Sequence, residues 1–133
     1  MIVLDTHTLL WMDRDDPALG MAARKIIKES WRKGETMVSA ISFWEVAMLA
    51  GRGRVVLPGS LSEWRSDLLQ AGLQEIPLDG RIALLSTQLD KLHRDPADHF
   101  IVATALQYQA TLVTADSKTL AWKSELVRQD ARN

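Results

Sequence analysis

Cysteine is absent from the 133-residue chain, which excludes a disulfide framework, a thiolate zinc site and a cysteine nucleophile. A long apolar run is missing too. Met1-Ile2-Val3-Leu4 enters an apolar stretch with no basic leader, and Asp5 ends it far short of a signal peptide or membrane span. A soluble, cytoplasmic protein with no membrane partner is therefore expected. There is no low-complexity stretch, obvious repeat or dividing linker. One domain over residues 1–133 is expected, with the last few residues forming a polar tail. Nor is there an excess of either charge. Sixteen Lys and Arg face seventeen Asp and Glu, for a net charge of −1. Residues 1–66 carry nine basic and eight acidic side chains, and residues 67–133 carry seven and nine. Nucleic-acid binders usually have surplus Lys and Arg, so the totals alone argue against one. What remains is ordinary globular composition, 47% hydrophobic and 25% charged, which excludes a disordered chain.

Short apolar segments alternate with amphipathic ones. Residues 2–4, β-branched and apolar, suit a buried strand, and 8–12 a short helix. Residues 19–33 place Leu19, Ala22, Ala23, Ile26, Ile27 and Trp31 on one side of a helix. Arg24, Lys25, Lys28, Arg32 and Lys33 crowd the other side. A second strand is expected over 36–40, then a helix near 43–50 capped by Ser42. Helices over 62–71 and 80–92 flank an extended piece at 73–77. Asp95-Pro96 signals a helix start, an acidic cap followed by proline at the first position. That helix runs to about 109, before a strand at 111–114, one more short helix, and a last strand at 125–127. Strands alternating with helices imply a three-layer α/β/α domain with a mostly parallel central sheet.

Four carboxylates stand where stability alone does not readily put them. Asp5 follows the first strand directly, and Asp116 lies two residues beyond the strand ending at Thr114. In open α/β sheets, ligands bind at the carboxyl ends of the strands. Glu45 is the one charged residue between Ile41 and Ala50, and it shares a helical stripe with Ile41, Met48 and Leu49. Burying it costs several kcal/mol unless something pairs with it, and no basic residue lies within a turn. Either a distant Arg or Lys reaches it, or a metal does. Asp98 opens a helix, where the helix dipole gives it an ordinary role. If the four converge, they would repel one another unless neutralised. Oxygen donors without cysteine favour Mg²⁺ or Mn²⁺ over zinc.

The same residues carry a family resemblance. Ile2-Val3-Leu4-Asp5-Thr6-His7-Thr8-Leu9-Leu10-Trp11 resembles the opening of PIN-domain nucleases, specifically toxin ribonucleases of the VapC type. Ser39-Ala40-Ile41-Ser42-Phe43-Trp44-Glu45-Val46-Ala47 is similar to their second motif. His93-Arg94-Asp95-Pro96-Ala97-Asp98-His99-Phe100-Ile101-Val102-Ala103-Thr104-Ala105 is similar to the third, and Thr111-Leu112-Val113-Thr114-Ala115-Asp116 to the fourth. The resemblance implies that Asp5, Glu45, Asp98 and Asp116 are the acidic catalytic and metal-binding quartet, with Thr6, Thr114 and Asp95 in support. It implies Mg²⁺- or Mn²⁺-dependent endoribonuclease activity on structured RNA of the tRNA or rRNA class, leaving 3′-hydroxyl and 5′-phosphate ends. It further implies a cognate antitoxin that blocks the crevice, and a homodimer or larger toxin–antitoxin assembly. The chain departs from many relatives around the third acid, where Ala97 and His99 replace a bulky apolar residue and Arg.

In that chemistry, carboxylates hold one or two metal ions that activate a water and stabilise charge on the phosphoryl oxygens. No Ser/His/Asp triad is needed. His7, two residues after Asp5, is expected to pack or cap, with a role near the site as the alternative. Arg52 and Arg54, flanking Gly53 in a turn, are candidates to touch RNA or a partner, whereas Arg24, Lys28 and Arg32 read as a solvated helix face. Trp31, Trp44 and Trp64 are expected in the core, and Trp11 and Trp122 at an interface. A phosphotransfer receiver would need an acidic pair at the first strand and a late Lys. A haloacid-dehalogenase-type phosphatase would need Asp where His7 stands. The stronger rival is a non-catalytic PIN-like module that binds RNA or protein, which predicts loss of quartet acids. Setting the quartet aside leaves sixteen basic side chains against thirteen acidic, +3 in all. The near-zero total thus conceals an acidic crevice and a mildly basic exterior.

Overall fold

Alternation along three short strands decides the architecture. A computed structural model describes all of residues 1–133. Strand β1 (Ile2–Leu4) points Ile2 and Leu4 to one face of the sheet and Val3 to the other. In β2 (Thr36–Ser39) Met37 and Val38 divide the same way, as do Leu112 and Val113 in β4 (Thr111–Thr114). Each face therefore needs its own cover of helices. On the first lie α1 (Thr6–Asp13), α2 (Met21–Arg32), α3 (Ala40–Gly51) and α4 (Leu61–Ala71), which contribute Leu9, Ile27, Val46 and Trp64. On the second lie α5 (Gly80–Ser86) and α6 (Pro96–Gln107), which contribute Ile82, Ile101 and Val102. The result is the expected three-layer α/β/α arrangement.

Strands β3 (Gln74–Ile76) and β5 (Arg128–Asp130) complete a five-stranded sheet of order β3-β2-β1-β4-β5, and every pairing is parallel. The chain runs outward from β1 through β2 to β3, then crosses to β4 on the other side. A switch point thus lies between β1 and β4, where Leu4 pairs with Val113. Loops leave the sheet in opposite directions at such a point and open a crevice. A short helix α7 (Ser117–Ala121) follows β4. No helix is long and apolar enough to cross a membrane.

Several boundaries move from their expected places. Ser39, not Ser42, caps α3 by accepting from the Ile41 amide at 3.2 Å. Ser42 is instead fully buried in the first turn of that helix. Helix α5 stops at Ser86 rather than continuing to 92. The hydroxyls of Ser86 and Thr87 donate to the carbonyls of Ala83 and Leu84, and Lys91 takes a left-handed φ of 66°. Leu89 and Leu92 kept the apolar pattern going because the turns bury them too. The last strand lies at 128–130, not 125–127. Leu126 plugs the core from a loop, and Arg128 ties that loop together through the carbonyls of Thr119 (2.9 Å) and Leu126 (3.1 Å). Trp44, expected inside, is 56% exposed. The end of the chain is not a free polar tail: Ala131 is fully buried, and its amide donates to the Thr114 carbonyl at 2.9 Å.

A candidate metal centre at the sheet switch point

Asp5 caps α1, and the Val113 carbonyl accepts its amide at 3.0 Å across the β1–β4 junction. The residue is 9% exposed, and each carboxylate oxygen accepts one hydrogen bond. Oδ1 accepts from the Thr6 amide at 2.8 Å, and Oδ2 from the Thr114 hydroxyl at 2.6 Å. Burial raises its pKa; the Thr114 and Thr6 hydrogen bonds only partly offset this, and nearby Asp116 adds to the rise.

Glu45, one turn into α3, faces the same crevice. No Arg or Lys reaches it. The Thr6 hydroxyl, 2.5 Å from Oε1, is its partner, and Ser42 Oγ lies 2.9 Å from that hydroxyl. Thr6 has one proton to give, so directing it at Glu45 leaves its oxygen to accept from Ser42. Burial pushes the Glu45 carboxyl up to about 7, against the Thr6 bond and with help from Asp5, Asp98 and Asp95. Asp98, in the first turn of α6, is likewise raised to about 6, first by burial and then by Asp5 and Asp95. The His93 ring opposes that rise, with Nε2 2.5 Å from Asp98 Oδ2.

Asp116 caps α7 through the Thr119 amide and hydroxyl, at 3.2 and 2.6 Å. Burial pulls its pKa upward, but the Thr119 bonds and His93 outweigh that and hold it below the usual range. His93 Nε2 is also 3.3 Å from Asp116 Oδ2, so it bridges two acids, while its Nδ1 is buried without a partner. An Nε2–H donor with a bare Nδ1 suits those surroundings, because an N–H at Nδ1 would be stranded.

These groups share one cavity of about 420 Å³. Asp5, Glu45, Asp95, Asp98 and Asp116 line it, with His7, Trp11, Ser117 and Arg132 around them. Ligand oxygens of Glu45, Asp95 and Asp98 lie within 4.8 Å of one another, as do the ligand atoms of His93, Asp98 and Asp116. Asp98 belongs to both groups and joins them. The donor set fits a hard divalent cation. Three acids hold raised pKa values, first through burial and then through one another's charge, and a cation would offset that cost.

The structure thus brings together all four sequence-predicted acids, with Asp95 at the rim capping α6 and Thr6 and Thr114 beneath. It does not bring Arg52 and Arg54, which are exposed in the turn after α3 and line no part of the cavity. His7 is exposed on the cavity wall instead of packing inward. His99 is turned away, its ring nitrogens taken up by the carbonyls of Ser86 (3.0 Å) and His93 (2.5 Å). His93, Ser42 and Arg132 escaped sequence reasoning. His93 and Ser42 lie inside recognised motifs and carry chemistry-bearing side chains, which was the available signal. Arg132 gave none.

With this geometry established, comparison with known proteins identifies the lineage. The PIN domain family profile matches residues 2–122. The chain is 30% identical over 118 residues to Ribonuclease VapC22 of Mycobacterium tuberculosis, covering 88% of each sequence. Its fold is similar to a toxin–antitoxin complex from Klebsiella pneumoniae, with a TM-score of 0.66, 21% identity and 96% of each chain covered. It is also similar to VapBC2 from Rickettsia felis bound to a promoter DNA fragment. That likeness has a TM-score of 0.71 and 17% identity, with 97% of this chain and 98% of that one covered. The two structural likenesses speak to fold; the profile and the sequence identity place the chain in the PIN domain family, as a VapC-type member.

Proposed function

We propose that this protein is a metal-dependent endoribonuclease toxin that cleaves structured RNA of the tRNA or rRNA class and is held in check by a cognate antitoxin. The observation that carries the reading is the convergence of Asp5, Glu45, Asp98 and Asp116 on one cavity, where burial and mutual repulsion raise the pKa values of the first three. A structural role for one buried and three half-buried, mutually repelling acids would be a net cost to the fold. A bound Mg²⁺ or Mn²⁺ supplies a water of lowered pKa and offsets charge developing on the phosphoryl oxygens. The chain's own groups do the rest. Asp5, Glu45, Asp98 and Asp116 hold the ion, and Asp95 stands by at the rim. Thr6 and Thr114 fix Glu45 and Asp5 by hydrogen bonds of 2.5 and 2.6 Å. His93 fixes Asp98 through Nε2, and supporting donors of this kind orient metal ligands. The rival non-catalytic module predicts gaps in the quartet, and there are none.

A partner surface is supported by a second, larger groove between α2 and α4. Ile27, Trp31, Trp64 and Leu68 form its apolar lining, and its charged residues are Arg24, Lys28 and Arg32 of α2 with Asp13 and Asp67, a net basic set. An amphipathic antitoxin segment with acidic flanks matches that pattern, and it gives the basic face of α2 a use beyond solvation. A homodimer, or a larger assembly with the antitoxin, completes the reading.

The deciding experiment compares wild type and Asp5→Asn on total tRNA and rRNA with Mg²⁺, Mn²⁺ or EDTA. Cleavage by wild type alone, abolished by EDTA, is expected. Equal cleavage by both proteins, or none with any metal, sinks the enzymatic reading.

A further inference from the structure

A crevice walled by five carboxylates repels the polyanion it is proposed to cut, so some group must receive the RNA backbone. Arg132 is the one Lys or Arg on the cavity lining. Its position is fixed by the chain around it. The Ala131 amide donates to the Thr114 carbonyl at 2.9 Å, and the Ala131 carbonyl accepts from the Gly20 amide at 2.8 Å. Its own amide donates to Asp130 Oδ1 at 2.9 Å. At the far end of the side chain, Nη1 donates to the Ala115 carbonyl at 2.7 Å. Ala115 is the residue between Thr114 and Asp116, so the guanidinium is held at the mouth of the acid cluster. None of the fold's ion pairs includes Arg132. A guanidinium carries five N–H donors in a planar fork, and one bond to a carbonyl leaves most of them unused. The residue is exposed, so those donors are open to a ligand entering the crevice.

We infer that Arg132 is a phosphate-binding residue that holds an RNA backbone phosphate at the mouth of the acidic cavity. The inference rests on the ribonuclease reading above. A guanidinium suits this task better than an ammonium because its fork pairs with two phosphate oxygens at once. Anchoring through Ala115 means that little side-chain freedom remains to be lost on binding. It also gives the crevice polarity: acids on the floor hold the cation, and one fixed positive group at the rim sets where the backbone enters.

The test measures binding of a fluorescein-labelled, mixed-sequence 12-nucleotide single-stranded RNA by anisotropy, in Ca²⁺, across a salt series. Wild type, Arg132→Gln and Arg132→Lys are compared, and Mn²⁺ binding to each is measured by calorimetry. Loss of one phosphate contact on single-stranded RNA lowers the slope of log K against log salt by about 0.7. Arg132→Gln should show that loss together with a roughly tenfold weaker Kd, while binding Mn²⁺ at least as tightly as wild type. Arg132→Lys should keep the salt slope and recover part of the affinity, because it retains the charge without the fork. Equal Kd and slope for wild type and Arg132→Gln would overturn the assignment and leave the ribonuclease reading standing. So would a Gln variant whose weaker RNA binding is matched by weaker Mn²⁺ binding, which would mark a structural role. Wild type that neither binds this RNA nor cleaves cellular RNA would overturn both.

Discussion

The Thr6 hydroxyl lies 2.5 Å from Glu45 Oε1, joining the first turn of α1 to α3 across 39 residues of sequence. The Thr6 amide meanwhile binds Asp5 Oδ1 at 2.8 Å. A single side chain and its own backbone thus orient two acids on different elements. Replacing the hydroxyl with a methyl group removes the one hydrogen bond that opposes the raised Glu45 pKa. Thr6→Val should therefore weaken Mn²⁺ binding at pH 7 by about 10–100-fold, the usual cost of losing a supporting partner. The deficit should shrink toward pH 8.5, where Glu45 ionises anyway, and Thr6→Ser should stay close to wild type. Calorimetric titration with Mn²⁺ at several pH values checks this.

The metal-free protein should lose stability as pH rises from about 5 to 8. Glu45 sits at about 7 and Asp98 at about 6, and Asp5 is also raised. Each holds its proton more tightly in the folded chain than in the unfolded one. Across that window the folded state binds more protons, so its stability falls as pH climbs. Asp116 is shifted the other way and acts only at lower pH. Mn²⁺ stabilises the ionised forms, so the melting temperature in Mn²⁺ should hold level or rise with pH while that in EDTA declines. Parallel curves in Mn²⁺ and EDTA would show that the acids do not share an ion.

Much of this site was legible from the residues because strand-end position is a topological property. Asp5 follows β1 directly and Asp116 lies two residues past β4, so a parallel sheet puts them on one edge, and β1–β4 pairing makes them neighbours. Glu45 was conspicuous because its charge interrupts an apolar stripe. Arg132 was not legible: what places it is the burial of Ala131 and a set of backbone bonds to Thr114 and Gly20, none of which has a sequence pattern. Trp44 misled for a related reason. Apolar spacing marks a stripe on α3, but whether a second layer covers every part of that stripe depends on how helices pack.

His99 follows Asp98 directly, and its bonds describe a clamp. The ring joins the end of α5, at the Ser86 carbonyl, to the loop at the His93 carbonyl. His99→Leu removes the ring N–H from this clamp and leaves a carbonyl without its donor, and a stranded acceptor of this kind costs about 1–3 kcal/mol. Urea unfolding should register that loss. Because His93 bonds Asp98, Mn²⁺ affinity should fall as well, whereas a surface change such as Lys123→Ala should alter neither.

The α2–α4 groove offers a separate handle. Lys28→Glu with Arg32→Glu reverses charge on its rim without approaching the acid cavity. RNA cleavage by this variant should match wild type, while inhibition by the proposed cognate antitoxin should weaken roughly tenfold or more, as expected when like charges are set against each other. A cleavage assay titrated with that inhibitor separates the two effects. Unchanged inhibition would move the partner surface elsewhere.

Asp5→Asn should separate stability from activity. The aspartate is buried, and its charge is opposed by its surroundings in the absence of metal. Asparagine keeps an oxygen for the Thr6 amide and fills the same space, but carries no charge to desolvate. It loses some of the bond to Thr114, whose hydroxyl can turn to accept instead. In EDTA at pH 8, Asp5→Asn should melt at or above the wild-type temperature, because the relieved charge outweighs the altered bond. In Mn²⁺ the order should reverse, since wild type gains metal stabilisation that the variant largely lacks. Cleavage should fall by more than about 100-fold, beyond what losing a supporting residue costs. Scanning calorimetry in both buffers, run beside the nuclease assay, gives the three comparisons. A variant less stable than wild type in EDTA would mean that Asp5 serves the fold before it serves the site.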